Sequence, residues 1–376
     1  MLDYLNAGGT SEGLRAGIAA AGWVRPAEDL VSVDLTGDGV PEIMVDLDSF
    51  YIFSCQNGSY TSLYEKIAVL APSFLPPHDM NGDGLPEFIE YFSDPGPIGM
   101  IYFHIKEWDG RQFTGLVTQA EFQSQSGHGG SYSGVIWFTH VASRANEIIQ
   151  DTDGDGLLEF VIRGGVGSEY SGYYIDACPC RAETHTYKWN GQGYVLESVI
   201  VDPPAFRFQA LQDGDAAALA EQFDQALALY QSVIFSDQLA PYNQAAWLNE
   251  HLLDLHISDS PTATPLPPDP REYYNLAAYA RFRIMLLHLR HGTEADALVV
   301  YQTLQDKFPA GQPGAEFATM AQRFWSEYQT SHAFGPACAQ AIAFISSYSG
   351  ALGYLGDYNR EGQDYVYSPE NVCPFK

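Results

Sequence analysis

The sequence predicts an α+β multidomain chain, with an antiparallel, all-β N-terminal half followed by an α-helical half. Three observations lead there. An acidic loop of nine residues occurs three times, and each copy runs into an apolar, β-branched or aromatic stretch. An Asn-Gly or Asp-Gly pair follows downstream of each copy, and such pairs between apolar runs are the strongest short-range hairpin signal. After Pro203-Pro204 the Gly-rich strand pattern gives way to Ala, Leu and Gln at helical spacing. The expected division is an N-terminal helical segment over 1–25, a β domain over 26–204 and a helical domain over 205–376, with a Pro/Thr-rich loop at 258–270.

The short N-terminal helix is expected over 11–22. The three loops are Asp34-Leu-Thr-Gly-Asp-Gly-Val-Pro-Glu42, Asp79-Met-Asn-Gly-Asp-Gly-Leu-Pro-Glu87 and Asp151-Thr-Asp-Gly-Asp-Gly-Leu-Leu-Glu159. Oxygen-bearing side chains stand at positions 1, 3, 5 and 9: Asp34, Thr36, Asp38 and Glu42; Asp79, Asn81, Asp83 and Glu87; Asp151, Asp153, Asp155 and Glu159. Position 7 (Val40, Leu85, Leu157) offers a backbone carbonyl, and the Gly at position 6 permits a sharp turn. A hard cation that takes six to eight oxygens suits this donor set, so up to three Ca2+ ions are expected. The EF-hand is a poor match, because its position 12 needs a bidentate Glu and a flanking helix. Position 12 here is Val45, Glu90 and Ile162, and strand-like sequence follows each loop. With four carboxylates in the third loop, Asn81 in the second and Thr36 in the first, affinity is expected to fall in that order.

The hairpin marks are Asn57-Gly58, Trp108-Asp109-Gly110 and Trp189-Asn190-Gly191. Each unit therefore reads as loop, strand, strand, tight turn, strand. Repeated small antiparallel sheets suggest propeller blades or a related array. The loops resemble those of the FG-GAP/VCBS repeats of integrin α-subunit propellers and bacterial surface proteins, over roughly residues 30–200. That resemblance implies calcium bound between blade strands. Three loops at uneven spacing fall short of the usual four to eight blades, so the array is either incomplete or helped by a loopless sheet in 114–148, where Gly134-Val-Ile-Trp-Phe-Thr139 reads as strand.

In the second half a helix is expected over 215–236, with Leu219, Phe223, Ala226, Leu229 and Tyr230 on one face. Pro241 is expected to open another, through about Leu255, and further helices at about 271–291, 293–308, 314–330 and 334–348. Gly292, Ala297, Tyr301 and Pro309 resemble a tetratricopeptide repeat, a family whose stacked helix pairs bind peptides or proteins. The plainer reading is a helical bundle with no ligand of its own.

A net charge of −29 excludes a phosphate-neutralising stripe, so no nucleic-acid partner is expected. No apolar run reaches transmembrane length, and Met1-Leu-Asp-Tyr4 does not start a signal peptide in this sequence. Acidic calcium loops, the Pro/Thr-rich segment and cysteines that look paired favour an extracellular or cell-surface address. Of the five cysteines, Cys338 and Cys373 are placed to staple the C-terminal segment. Cys178 and Cys180 stand too close for a relaxed mutual bridge but could form a strained one, and alternatively one of them pairs with Cys55, leaving the other free.

No metalloprotease, nucleophile-elbow, Walker or dinucleotide motif occurs. His128 and Ser131 lie in a Gly/Ser run that reads as a turn. Tyr170, Tyr173 and Tyr174, in a Gly/Ser-rich insertion, are candidate contacts to a sugar or a protein. The functional expectation is a calcium-binding surface protein that binds or scaffolds a protein or glycan ligand and is not an enzyme. The alternatives are a polysaccharide-acting enzyme with structural calcium and a purely structural surface component.

Overall fold

The computed structural model describes residues 1–22, 30–47, 49–67, 73–93, 100–118, 134–139, 146–165, 181–242, 269–356 and 367–374. The chain divides into two compact units: Met1–Ile175 with Ala182–Asp202, and Asp176–Arg181 with Pro203–Lys376. The break at Pro203 falls where the composition changes. The N-terminal helices belong to the β unit and do not form a separate segment.

Those helices are α1 (Leu2–Asn6) and α2 (Ser11–Ala20), the second capped by Thr10, whose Oγ1 accepts from Gly13 N at 3.1 Å. Leu5 and Leu14 pack with Leu30, Ile43, Val45 and Phe53. The Asn6 side chain both accepts from Tyr60 N and donates to Tyr60 O, which ties α1 to a strand edge.

The β unit contains three four-stranded antiparallel repeats. The first is β1 (Leu30–Val33), β2 (Glu42–Asp46), β3 (Ser49–Gln56) and β4 (Ser59–Ile67), paired in sequence order. The second is β5 (Ser73–His78), β6 (Glu87–Ser93), β7 (Met100–Trp108) and β8 (Phe113–Gly115). After β9 (Ile136–Thr139) comes the third: β10 (Asn146–Gln150), β11 (Glu159–Gly165), β12 (Ala182–Trp189) and β13 (Tyr194–Val201). Each acidic loop joins the first strand of a repeat to the second, and each Asn-Gly or Asp-Gly turn joins the third to the fourth. The strand ahead of each loop is an addition to the expected unit.

The stretch around Gly134 does not make a loopless fourth sheet among the described residues. It supplies the single strand β9, which pairs with both β7 and β11 and so fuses the second and third repeats into one nine-stranded sheet. No closed propeller is present among the described residues.

Aromatic and branched side chains fill the spaces between repeats. Phe50, Phe74, Phe88 and Phe113 join the first repeat to the second, with the Phe88 and Phe113 rings edge-on at 5.2 Å. Ile89, Phe103, Phe160 and Tyr187 join the second to the third. Each fully buried ring is worth about 2–3 kcal/mol of transfer free energy.

The helical unit contains α3 (Arg207–Leu219), α4 (Phe223–Phe235), α5 (Glu272–Arg290), α6 (Glu294–Lys307), α7 (Ala315–Ser331) and α8 (Phe334–Ile345), then 310 turns at Ser346–Leu355 and Pro369–Val372. The last four helices match their expected spans closely. The helix expected over 215–236 is instead two. The chain breaks where Glu221 adopts a left-handed φ of 59° and Gln222 N bonds back to Ala217 O. Leu219 is consequently 60 % exposed, while Ala226 and Tyr230 are buried. Gly214 lets the two helices meet, since a Cβ there would lie 2.7 Å from the Tyr230 ring. Pro241 and Tyr242 are not helical, and the remainder of that expected helix lies outside the described residues, as does most of the Pro/Thr-rich loop.

Helix α5 is buried on nearly every side and forms the centre of this unit. Ala297 is fully buried, and Tyr301 stacks on Trp325 at 5.0 Å. The Cys338–Cys373 disulfide is formed, with Cα atoms 5.5 Å apart. Cys55 is a free, half-buried thiol, so the bridge considered for it is not made. Its cross-strand neighbour on β4 is Tyr60. Cys178 and Cys180 lie outside the described residues.

Candidate metal-binding loops

The three loops fold by one hydrogen-bond plan, and their carboxylates supply it. The position-1 Asp accepts from the backbone N–H groups of both loop glycines. Asp34 takes Gly37 and Gly39 at 2.8 Å each, and Asp79 takes Gly82 and Gly84 at 2.8 and 3.0 Å. Asp151 takes Gly154 and Gly156 at 2.6 and 3.1 Å. The position-5 Asp accepts from the N–H of position 7 in every copy. At position 3, Asn81 and Asp153 accept from the N–H two residues on. Thr36 departs from the plan, donating its hydroxyl to Glu42 at 3.3 Å.

Position 9 is where loop meets sheet. Glu42, Glu87 and Glu159 open β2, β6 and β11, and each is 0 % exposed. One oxygen of each accepts from the position-2 N–H, at 2.8 Å from Leu35, 2.6 Å from Met80 and 2.7 Å from Thr152. The other oxygen of Glu87 and of Glu159 is buried without a hydrogen-bond partner among the described residues. A buried carboxylate oxygen in that state costs several kcal/mol unless a proton or a cation meets it, and at Glu159 the Lys188 ammonium stands 4.0 Å away.

The loops stand side by side in chain order. Leu85 at position 7 of the second loop covers Gly37 of the first, where a Cβ would come within 2.6 Å. Leu157 of the third covers Gly82 of the second in the same way, at 3.0 Å. Both glycines also have left-handed φ values, of 72° and 78°, so close approach and backbone conformation each exclude a side chain. Leu158 N donates to Met80 O at 2.8 Å, tying the third loop to the second.

All fifteen loop positions named from sequence are described, and each set shares one loop. In the third, oxygens of Asp151, Asp153 and Glu159 lie within 4.8 Å of one another. Oxygen-only donors, with a buried oxygen left open, fit a hard divalent cation. The candidate contact residues Tyr170, Tyr173 and Tyr174 lie outside the described residues, as do His128 and Ser131.

Sequence reasoning missed the residue facing position 9 from the neighbouring strand. The register pairs Ile43 with Phe53, Phe88 with Lys106 and Phe160 with Tyr187. One step further, Glu42 faces Ser54, Glu87 faces Glu107 and Glu159 faces Lys188. Glu107 accepts from Asn81 Nδ2 at 2.6 Å. Burial, and then Glu107 alongside, push the Glu87 carboxyl above the usual carboxylate range. Lys188 Nζ pairs with Asp153, lies 2.8 Å from Asp155 Oδ2 and 4.0 Å from Glu159 Oε1. Asp153 and Asp155 hold its ammonium well above the ordinary lysine range. Glu107 and Lys188 immediately precede Trp108 and Trp189 of the hairpin marks, and that shared place was the available signal.

Tyr194, which begins β13, is fully buried with its hydroxyl unpartnered among the described residues. Burial raises its pKa, and the carboxylates of Glu87, Glu107, Asp79 and Glu159 raise it further.

The helical unit has a separate open cleft of about 550 Å³, lined by Phe223, Leu287, Arg290, His291 and Phe334 among others. No helix among the described residues is long and apolar enough to cross a membrane. No family model matches the chain, and no curated protein matches it significantly.

Proposed function

We propose that this is a calcium-stabilised binding or scaffold protein that works outside the cytoplasm, at or beyond the cell surface. Its β unit is a propeller-like array in which up to three calcium ions clamp the loops between first and second strands. Its helical unit is a tetratricopeptide-like module, and the ligand is a protein or a glycan. The observation that carries this reading is the buried oxygen of Glu87 that no hydrogen-bond donor reaches among the described residues, at the end of an all-oxygen loop built three times over. The Cys338–Cys373 bridge favours an oxidising compartment.

Calcium's role here is mechanical. The position-1 and position-5 carboxylates already order their own backbone. A cation joining them to the position-9 Glu would fasten each loop to the strand it opens and relieve their mutual repulsion. The test is a screen of glycan and protein arrays in millimolar calcium and again with chelator. Ligand capture that needs calcium is expected. Capture unaffected by chelation would contradict a calcium-built binding surface, and depolymerisation of an arrayed polysaccharide would favour an enzyme instead.

A further inference from the structure

We propose that Glu107 is an added calcium ligand at the second loop and that Lys188 is a built-in cation at the third, so that the second loop, not the third, binds calcium first. This rests on the calcium reading above and reverses the order that the loops alone suggest.

The two residues occupy the same place in successive repeats, each facing the position-9 Glu across the sheet. Their charges are opposite. In the second loop, position 3 is the neutral Asn81, whose amide is held by Asp83 N–H on one side and Glu107 on the other. The carboxylate missing from position 3 is thus restored from β7. Four carboxylates, Asp79, Asp83, Glu87 and Glu107, thus border this loop and no cationic side chain is bonded to it among the described residues, although only the third loop already gathers three acidic oxygens within 4.8 Å of one another. Glu87 Oε1 is buried with no hydrogen-bond donor among the described residues, and so is the Tyr194 hydroxyl; with the Glu107 carboxyl beside Glu87, the pair must share a proton or a cation.

The third loop has four carboxylates of its own, but the Lys188 ammonium already bonds Asp153 and Asp155 and approaches the open oxygen of Glu159. A divalent ion sharing those oxygens must displace the ammonium or lie within a few ångströms of it, and like charges at that distance repel strongly. The third repeat therefore clamps itself partly with its own side chain. The first loop has three carboxylates, with Ser54 facing Glu42, and carries neither device.

The test is calorimetric calcium titration of the metal-free full chain and its E107Q and K188E variants, with circular dichroism confirming that each folds. Wild type should show its tightest site weakened on the order of tenfold or more by E107Q. K188E should add a tight site that a further D155N substitution removes. Wild-type binding left unchanged by E107Q, with no site gained in K188E, would overturn this inference and leave the calcium reading standing. No binding by wild type or K188E at millimolar calcium would remove the calcium reading itself.

Discussion

The two units treat buried charge in opposite ways. In the helical unit, the fully buried Arg283 lies 2.9 Å from Asp215, which also accepts from the hydroxyls of Tyr230 at 2.6 Å and Tyr367 at 2.8 Å. Arg283 donates further to Val372 O, beside the Cys338–Cys373 staple. Cation, anion and covalent bond all come from the chain. In the β unit, Glu42, Glu87 and Glu159 are equally buried, yet each is met by neutral donors of its own loop: Leu35 N, Thr36 N and the Thr36 hydroxyl for Glu42, Met80 N for Glu87, and Thr152 N with the Thr152 hydroxyl for Glu159. Arg283 and Asp215 thus neutralise each other within the helical unit, whereas Glu42, Glu87 and Glu159 meet no cationic side chain among the described residues except Lys188 beside Glu159, and that is the role proposed for calcium.

The largest expected effect is on the self-neutralised side. R283M leaves Asp215 with only the hydroxyls of Tyr230, Tyr367 and, at 3.5 Å, Tyr279, and should cost the helical unit about 3–5 kcal/mol in denaturant unfolding. A cost below about 1 kcal/mol would mean that the ion pair is not what holds this unit. Removing the staple, as C338S with C373S, frees the loop it closes in the unfolded chain and should cost about 3–4 kcal/mol.

Glu272 sharpens the contrast, because it is a carboxylate of the helical unit that lacks such a partner. It is 4 % exposed, accepts from Tyr242 N at 3.0 Å, and burial pushes its pKa up to about 7. With the folded pKa above the unfolded one, the folded state binds the extra proton, so stability is lost as pH rises from about 4.5 through 7. E272Q should remove that slope and stabilise the protein by about 2–3 kcal/mol at pH 8, read from urea curves at pH 5 and 8. In the β unit, G37A and G39A both force Ala into left-handed backbone, at about 1–2 kcal/mol each. G37A should cost more, because Leu85 closes on Gly37 while the space around Gly39 is open.

Much of this was legible from residue spacing. The loops, their following strands and the paired turns are local patterns, and turn chemistry fixes them. Asn57 and Gly58 both take positive φ, as a two-residue hairpin requires, while Asp109 and Asn190 fold longer turns by accepting backbone N–H groups. The helix boundaries near Gly292, Pro309 and Pro336 were legible for the same reason. What was not legible depends on distance along the chain. No glycine or proline announces the break at Glu221, which tertiary packing imposes. Strand β9 joins two repeats only once both exist. Glu107 and Lys188 acquire meaning from a register that pairs them with residues 20 or more positions away. The shared geometry of the loops was thus legible, but the residues that face them across the sheet were not.

The most direct test is hydrogen exchange of the full chain, measured by mass spectrometry with calcium and with chelator. Calcium should slow exchange at 34–42, 79–87 and 151–159 and in the strands they open, with the strongest effect at 79–87. Residues 272–345 should be unchanged. Equal protection of both units, or no change at the loops, would contradict a β unit that relies on calcium alongside a helical unit that does not.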